Sequence, residues 1–310
     1  MNHLSKTPLI VSCSARKRSS DIEKTEFHKL ASKTRLQTVA ADWLSSLDHA
    51  KNRQSAIDVY VGGAWPALKD LAAKGMPIYI CSAGYGLLSH DELITCYDAT
   101  FSPKDVNYIG KKIPSDSTLS EWVSLIVEQR SKASRLDFVD LFKANRIVIL
   151  ALPLPYLAAF WPVIESALTA SPEVTLFVFC PSQFRPASEH GYNVIFTHLD
   201  ERWRIHLNCT RSTLATEAAI FVLTYFQDLN EESLRKFEEN LELPPPSVLK
   251  TKLTDEQVLE LLRNGWRSGD IPRQCSKALN YIRNTLHYSC EQSRFAALVR
   301  YLKESETFDD

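Results

Sequence analysis

"RIVILAL", Arg146 to Leu152, follows a single charge with six apolar residues and no polar alternation. A strand with one wet face alternates apolar and polar side chains. An unbroken short run therefore marks a strand covered on both faces, as in a parallel sheet between layers of helices. Working outward, "PLIVSC" (8–13), "MPIYICS" (76–82), "VTLFVFC" (174–180) and "YNVIF" (192–196) repeat the pattern. The intervening segments carry helical spacing over Glu26 to Leu47, Trp65 to Ala73, Leu119 to Ser131, Tyr156 to Leu168 and Ser212 to Gln227, the last apolar enough to be buried. Strands alternating with helices predict an α/β domain with a short parallel sheet sandwiched between helices.

The texture changes at "NLELPPPSVLK", because consecutive prolines continue neither a helix nor a central strand. The chain is therefore divided into an α/β domain (1–240), a Pro-rich linker (241–252) and a small C-terminal helical domain (253–310). In the last, Thr254 is the expected N-cap of "LTDEQVLELLRNGW", and "PRQCSKALNYIRNTL" and "SCEQSRFAALVRYLKE" read as two more short helices. From Ser247 to Lys303 there are ten Lys or Arg against five acids, followed by acids at 304, 306, 309 and 310. Gln292 and Arg294 stand near the start of a helix whose Phe295, Leu298 and Leu302 should face inward, the layout of a helix-turn-helix recognition helix. A helical protein-interaction module is the alternative.

Composition narrows the function classes. With 36 basic and 37 acidic residues the net charge is -1, so nucleic-acid affinity must come from local patches. The seven cysteines form no C-x-x-C pair and are odd in number, against a zinc cluster or a disulfide framework, and point to a reducing cytoplasm. No run of about 18 apolar residues crosses a membrane, and the N-terminal run is too short for a signal peptide. Phosphate-loop, dinucleotide and esterase motifs are absent, and "HDE" (90–92) lacks the P-C-x-x-C partner of zinc deaminases. No metal and no cofactor is expected.

In open parallel sheets ligands collect at the carboxyl ends of strands, so the loops there are expected to form one site. "SCSARKR" sets Ser12 and Ser14 beside Arg16 and Lys17, hydroxyls and cations suited to phosphate oxygens, although a solvated basic turn explains the same residues. "ICSAGYGLLSHDELITCYDATF" (80–101) combines small residues, tyrosines and acids, as a site for a planar polar ligand would. There Ser82, Ala83, Gly84, Tyr85 and Gly86 are candidates to hold a base. Asp98, with Asp91 and Tyr97, is the candidate catalytic group, while Asp91 and Glu92 could instead begin a helix. "CPSQFRPAS" offers Ser182, Arg185 and Ser188 for phosphate, and "LNCTRST" offers Arg211 and Ser212 at a helix start, where capping is an equal reading. Gly62 and Gly63 of "VYVGGAWPAL" precede another helix.

"VSCSARKR", "VYVGGAWPAL" and "ICSAGYGLL" leading to "YDATF" together resemble, over roughly residues 8 to 225, a functionally unassigned bacterial branch of the uracil-DNA glycosylase-like superfamily. That superfamily also includes accessory domains of archaeal tRNA-guanine transglycosylases and archaeosine synthases. The resemblance implies a nucleobase pocket at the strand exits. It also places "CPSQFRPAS" where the glycosylases keep a His-Pro-Ser loop, with Cys180 replacing the histidine. Uracil-excising members carry a water-activating acid after the first strand, and "SCSARKR" has none, so Asp98 is the substitute. The chain is also similar in outline to antiphage DNA glycosylases, which remove a bulky modified base.

The implied activity is a DNA N-glycosylase that flips out a modified base and leaves an abasic site, with DNA as partner. A tRNA or nucleoside base-modifying transferase would use the same pocket, and a non-catalytic DNA-binding stress protein would use none of its acids.

Overall fold

The structure, a computed structural model, describes residues 3–14, 16–18, 24–31, 33–134, 136–186, 191–242 and 251–305. The chain separates into two compact units, Met1–Leu243 and Pro244–Asp310.

The apolar runs become strands of one six-stranded sheet: β1 (Leu9–Ser12), β2 (Ile78–Ser82), β3 (Gly86–Ser89), β4 (Ile147–Ala151), β5 (Thr175–Pro181) and β6 (Val194–Leu199), in the order β6-β5-β4-β1-β2-β3. All neighbours are parallel except β3, which turns back antiparallel on β2. Val148, Ile149, Leu150 and Ala151 are fully buried, as the unbroken run predicts for a covered strand.

Both faces carry helices. The principal ones are α1 (Leu36–His49), α2 (Trp65–Ala73), α3 (Leu119–Ser134), α4 (Leu154–Thr169), α5 (Glu201–His206) and α6 (Leu214–Tyr225). Phe196 of β6 lies beside Val178 of β5 and meets Trp161 of α4. Phe179, one residue on and therefore on the other face, meets Trp203 of α5. Helix α6 buries Leu214, Ala215, Ala218, Ala219, Val222 and Leu223, while Tyr225 at its end is exposed.

Two expectations need correction. The helix over Glu26 to Leu47 begins only at Leu36, because Thr25–Glu26 pairs as a short strand with Tyr97–Asp98 and Phe27–Lys29 forms a 3-10 turn. Asp91 and Glu92 begin no helix: they turn the chain between β3 and a short strand at Leu93–Thr95 that pairs with Arg53–Ser55.

In the second unit, α7 (Asp255–Ser268), α8 (Cys275–Asn284) and α9 (Gln292–Ser305) enclose Val258, Leu262, Trp266, Ala278, Ile282, Phe295, Val299 and Leu302. Thr254 caps α7 in a reciprocal capping box with Gln257, and Gly269 ends that helix in the left-handed conformation. Of the Pro-rich segment, 243–250 lies outside the described residues, as do Ser188 and the acids at 306, 309 and 310. Leu241 belongs to the first core, and Thr251–Lys252 pairs with Tyr288–Ser289 in the second unit.

Candidate active site

From β1 the chain moves one way to β2, then crosses to β4, β5 and β6 on the other side of β1. The crevice outside the carboxyl ends of β1 and β4 is therefore the topological switch point, where open α/β sheets bind ligands. Cys13, just past β1, and Tyr156, in the first turn of α4, meet there with Sγ and Oη 3.0 Å apart.

On the β1 side lies a cleft of about 500 Å³ lined by Ser14, Arg16, Lys17, Lys24, Val61, Asp98, Ala99, Thr100, Asp105, Val106, Asn107 and Tyr156. Its cationic wall is held by the backbone. Arg18 N–H donates to Val59 O (2.8 Å) and Val61 N–H to Arg16 O (3.1 Å), an antiparallel bridge centred on Lys17 and Tyr60. A bridged segment alternates its side chains, so Arg16 and Arg18 are exposed while Lys17 turns inward. Only 2% of the Lys17 side chain is exposed, and its Nζ lies 4.5 Å from the centre of the Tyr97 ring. Gly62 and Gly63 follow the bridge at positive φ (83° and 50°), and a Cβ on Gly63 would come within 2.7 Å of Thr213.

Asp98 stands between two lysines, with Oδ1 4.0 Å from Lys17 Nζ and Oδ2 3.6 Å from Lys24 Nζ. Lys24 arrives because Thr25 pairs with Tyr97 and Glu26 with Asp98, which sets the preceding residue beside the carboxylate. The cleft's other acid, Asp105, accepts from the backbone N–H of Asn107 (2.8 Å) and builds a turn. Asn107 is buried and its Oδ1 accepts from His28 N (3.1 Å) and Nδ1 (2.9 Å). Among the described residues its Nδ2 has no partner, which leaves amide donors for a ligand. A groove of about 560 Å³ shares Lys24 with the cleft and adds His49, Lys51 and Asn52, together with Lys29 paired to Glu26.

Behind the cleft runs a buried hydroxyl chain. Ser82 Oγ accepts from Gly84 N (3.2 Å) and Tyr85 N (2.9 Å), so with both lone pairs engaged its proton goes to Tyr97 Oη (2.6 Å). Tyr97 in turn donates to Tyr60 Oη at 2.8 Å. Burial raises the pKa of Tyr60, Tyr97 and Tyr156 well above the ordinary phenol value, so all three stay neutral.

This geometry overturns the expectation that small residues at 82–86 leave room for a base. Ser82, Ala83, Gly84, Tyr85 and Gly86 are all buried, and a Cβ on Gly84 would come within 2.7 Å of Tyr97 and 3.1 Å of Trp43. The space is filled by aromatic rings, with Trp43 Nε1 donating to Gly84 O at 2.7 Å. Gly86 takes φ 70° because β2 must reverse into β3 within four residues. Tyr85 accepts from Thr95 N–H (3.1 Å) with Arg130 over its ring (4.9 Å), and burial pushes its phenol up to about 12. Tyr97 is likewise part of the core rather than a wall of the cleft. Asp91 is carried away by the antiparallel turn: His90 N–H bonds Ile78 O at the amino end of β2, opposite the cleft, and Asp91 accepts from Ser89 Oγ. Glu92 pairs with Arg130, yet burial dominates and raises its pKa.

Of the other phosphate candidates in this unit, Ser12 is the last residue of β1, and Ser182, Arg211 and Ser212 fall on the far side of the Pro153–Tyr156 turn. A second cleft of about 540 Å³ gathers Pro153, Leu154, Pro181, Ser182, Gln183, Asp200, Glu201, Arg211 and Ser212. Its charges are already matched. Glu201 holds Arg204 (2.6 Å) and Arg211 (2.8 Å), and Asp200 caps α5 through Arg202 N–H (2.9 Å) and pairs with Arg202 Nε (2.8 Å). Arg185 turns back onto Ser182 O (2.7 Å) and Phe184 O (2.6 Å) and does not line this cleft. Cys180 is buried, its thiol pushed up to about 12, with Sγ 3.5 Å from His198 Nδ1.

In the helical unit Gln292 is exposed, but Arg294 is committed within the unit, donating to Asp255 Oδ1 (2.5 Å) and Leu253 O (3.0 Å). Sequence reading missed Lys24, Asn107 and Tyr156. Only Lys24 carried a signal, as a further cation close after "SCSARKR".

Compared with known protein-family models, curated proteins and solved structures, the chain matches none. No group of His, Cys, Asp and Glu that could hold a metal occurs among the described residues, and no helix among them is long and apolar enough to cross a membrane.

Proposed function

We propose that the α/β unit cleaves an N-glycosidic bond in DNA, releasing a modified base through a pocket of uracil-DNA glycosylase type. The observation that carries this reading is the meeting of Asp98 with Ser14, Arg16 and Lys24 in one cleft at the switch point of the sheet. Bond cleavage builds positive charge on the sugar at C1′, which a fixed carboxylate stabilises. Arg16 and Lys24 beside it hold the flanking phosphates, while the Ser14 hydroxyl donates to Arg16 O, and the groove beyond Lys24 gives the strand a path. With the loop at 82–86 filled, the flipped base lies against Val61, Ala99, Val106 and Tyr156, where the Asn107 amide donates to its edge. In the helical unit, exposed Lys277, Gln292 and Arg300 are among the groups that would meet DNA.

The test is incubation of the purified protein with DNAs of different base modification, reading released base by mass and abasic sites by a carbonyl probe. Release by the native protein and its loss in Asp98→Asn is the expected result. If Asp98→Asn releases base at the native rate, the role of this carboxylate is wrong.

A further inference from the structure

We propose that Lys17 is an amine nucleophile, giving the cleft a lyase activity on abasic sugars in addition to base release. The inference rests on the N-glycosidic reading above and adds a covalent step to it.

Lys17 does not sit as a phosphate-binding lysine does. Such a residue extends a flexible stem into water, as the exposed neighbours Arg16 and Arg18 do. Lys17 is instead clamped by the bridge to Tyr60, laid across the face of Tyr97, and left with 2% of its side chain exposed. Its nearest anion, Asp98 Oδ1, is at 4.0 Å, beyond hydrogen-bond length, and among the described residues Nζ makes no hydrogen bond. A nearly buried cation with an unfilled coordination shell is costly unless a ligand completes it. It opens on the same cleft as Asp98, which is itself shared with Lys24. An amine held rigidly, mostly out of water and beside a carboxylate that can take its proton is the arrangement of a Schiff-base lysine.

The step balances without a further reactant. The proton that Lys17 sheds passes by way of Asp98 to the departing base, so Asp98 is a carboxylate again as positive charge develops at C1′, and the free Nζ bonds to C1′ while the C1′–base bond breaks and its electron pair leaves with the base. Opening of the sugar ring, with the ring oxygen leaving as a hydroxyl, gives the iminium. Loss of a C2′ proton then expels the 3′ phosphate and breaks the strand, or water adds at C1′ and frees the lysine. On a sugar that is already abasic, the amine adds to the C1′ aldehyde and one water departs.

The experiment uses the full chain, duplex DNA carrying a preformed abasic site, and borohydride, which reduces the imine to a stable amine. A protein–DNA adduct mapping by peptide mass spectrometry to Lys17 is expected, with the yield falling at least about tenfold in Lys17→Ala and Lys17→Arg. The arginine variant keeps a cation over Tyr97, and circular dichroism shows whether each variant folds; if neither does, the mapped site in the native protein decides. No adduct, an adduct on another amine, or an undiminished yield in folded Lys17→Arg would overturn the proposal. Preformed abasic DNA separates the two readings. An adduct at Lys17 without base release from any DNA leaves the lyase and removes the glycosylase, whereas base release with intact abasic strands and no adduct does the reverse.

Discussion

The two clefts flank the same turn, Pro153 to Tyr156, at the carboxyl end of the same sheet, yet their charges are matched differently. Beyond the turn, each acid of the second cleft has an arginine in direct contact and Arg211 is already spoken for by Glu201. On the near side one carboxylate faces two lysines at 4.0 Å and 3.6 Å, Arg16 is exposed, and a buried amide keeps donors free. A charge matched at hydrogen-bond distance has little left for a ligand, while loosely matched charges in a cleft attract one. Residue type alone does not separate a site from a surface; the satisfaction of each group does.

The largest effect that would test this contrast is on turnover. Asp98→Asn keeps shape and removes charge, so base release should fall by about a thousandfold, or roughly 4 kcal/mol, with DNA affinity little changed. Single-turnover kinetics and binding isotherms on the same preparation check both halves. Next in size, Arg16→Ala with Lys24→Ala should weaken DNA binding about thirtyfold at moderate salt and flatten the plot of log affinity against log salt by about two units. Anisotropy titrations over a series of KCl concentrations measure it, and an unchanged slope would mean that these cations meet no phosphate.

Smaller again is the cost of Tyr97→Phe. It removes the middle of the Ser82–Tyr97–Tyr60 chain and leaves two buried hydroxyls short of a partner, a loss of about 1–2 kcal/mol in urea-denaturation stability. Arg211→Ala should do least, changing DNA affinity by less than about twofold, because its guanidinium is exposed and held by Glu201. An effect as large as that of the near-side pair would erase the distinction between the clefts.

Much of the frame was legible. Five apolar runs became five parallel strands because burial on both faces forces continuous apolar sequence, and Trp65–Ala73 is a helix as its spacing predicts. Illegible was β3: "GLL" follows the same run as β2, and a hairpin at Gly86 looks in sequence like a loop widening into a pocket. The same turn decided the acids. Asp91 and Asp98 sit close together in the chain, but an antiparallel reversal sends one to the amino end of β2, and pairing with Thr25–Glu26 brings the other to the cleft.

By itself, then, the sequence determined the α/β frame, the change of texture at the prolines and the set of polar residues gathered at strand exits, because these follow from local patterns of burial and backbone preference. Which of those residues remain free was decided only in three dimensions. Gly84 is small because Tyr97 and Trp43 press on it, Arg294 is tied to Asp255, and Lys17 is buried where Arg16 and Arg18 are not. Each outcome depends on partners far away in sequence, and the satisfaction of a polar group is a property of the neighbours that folding supplies.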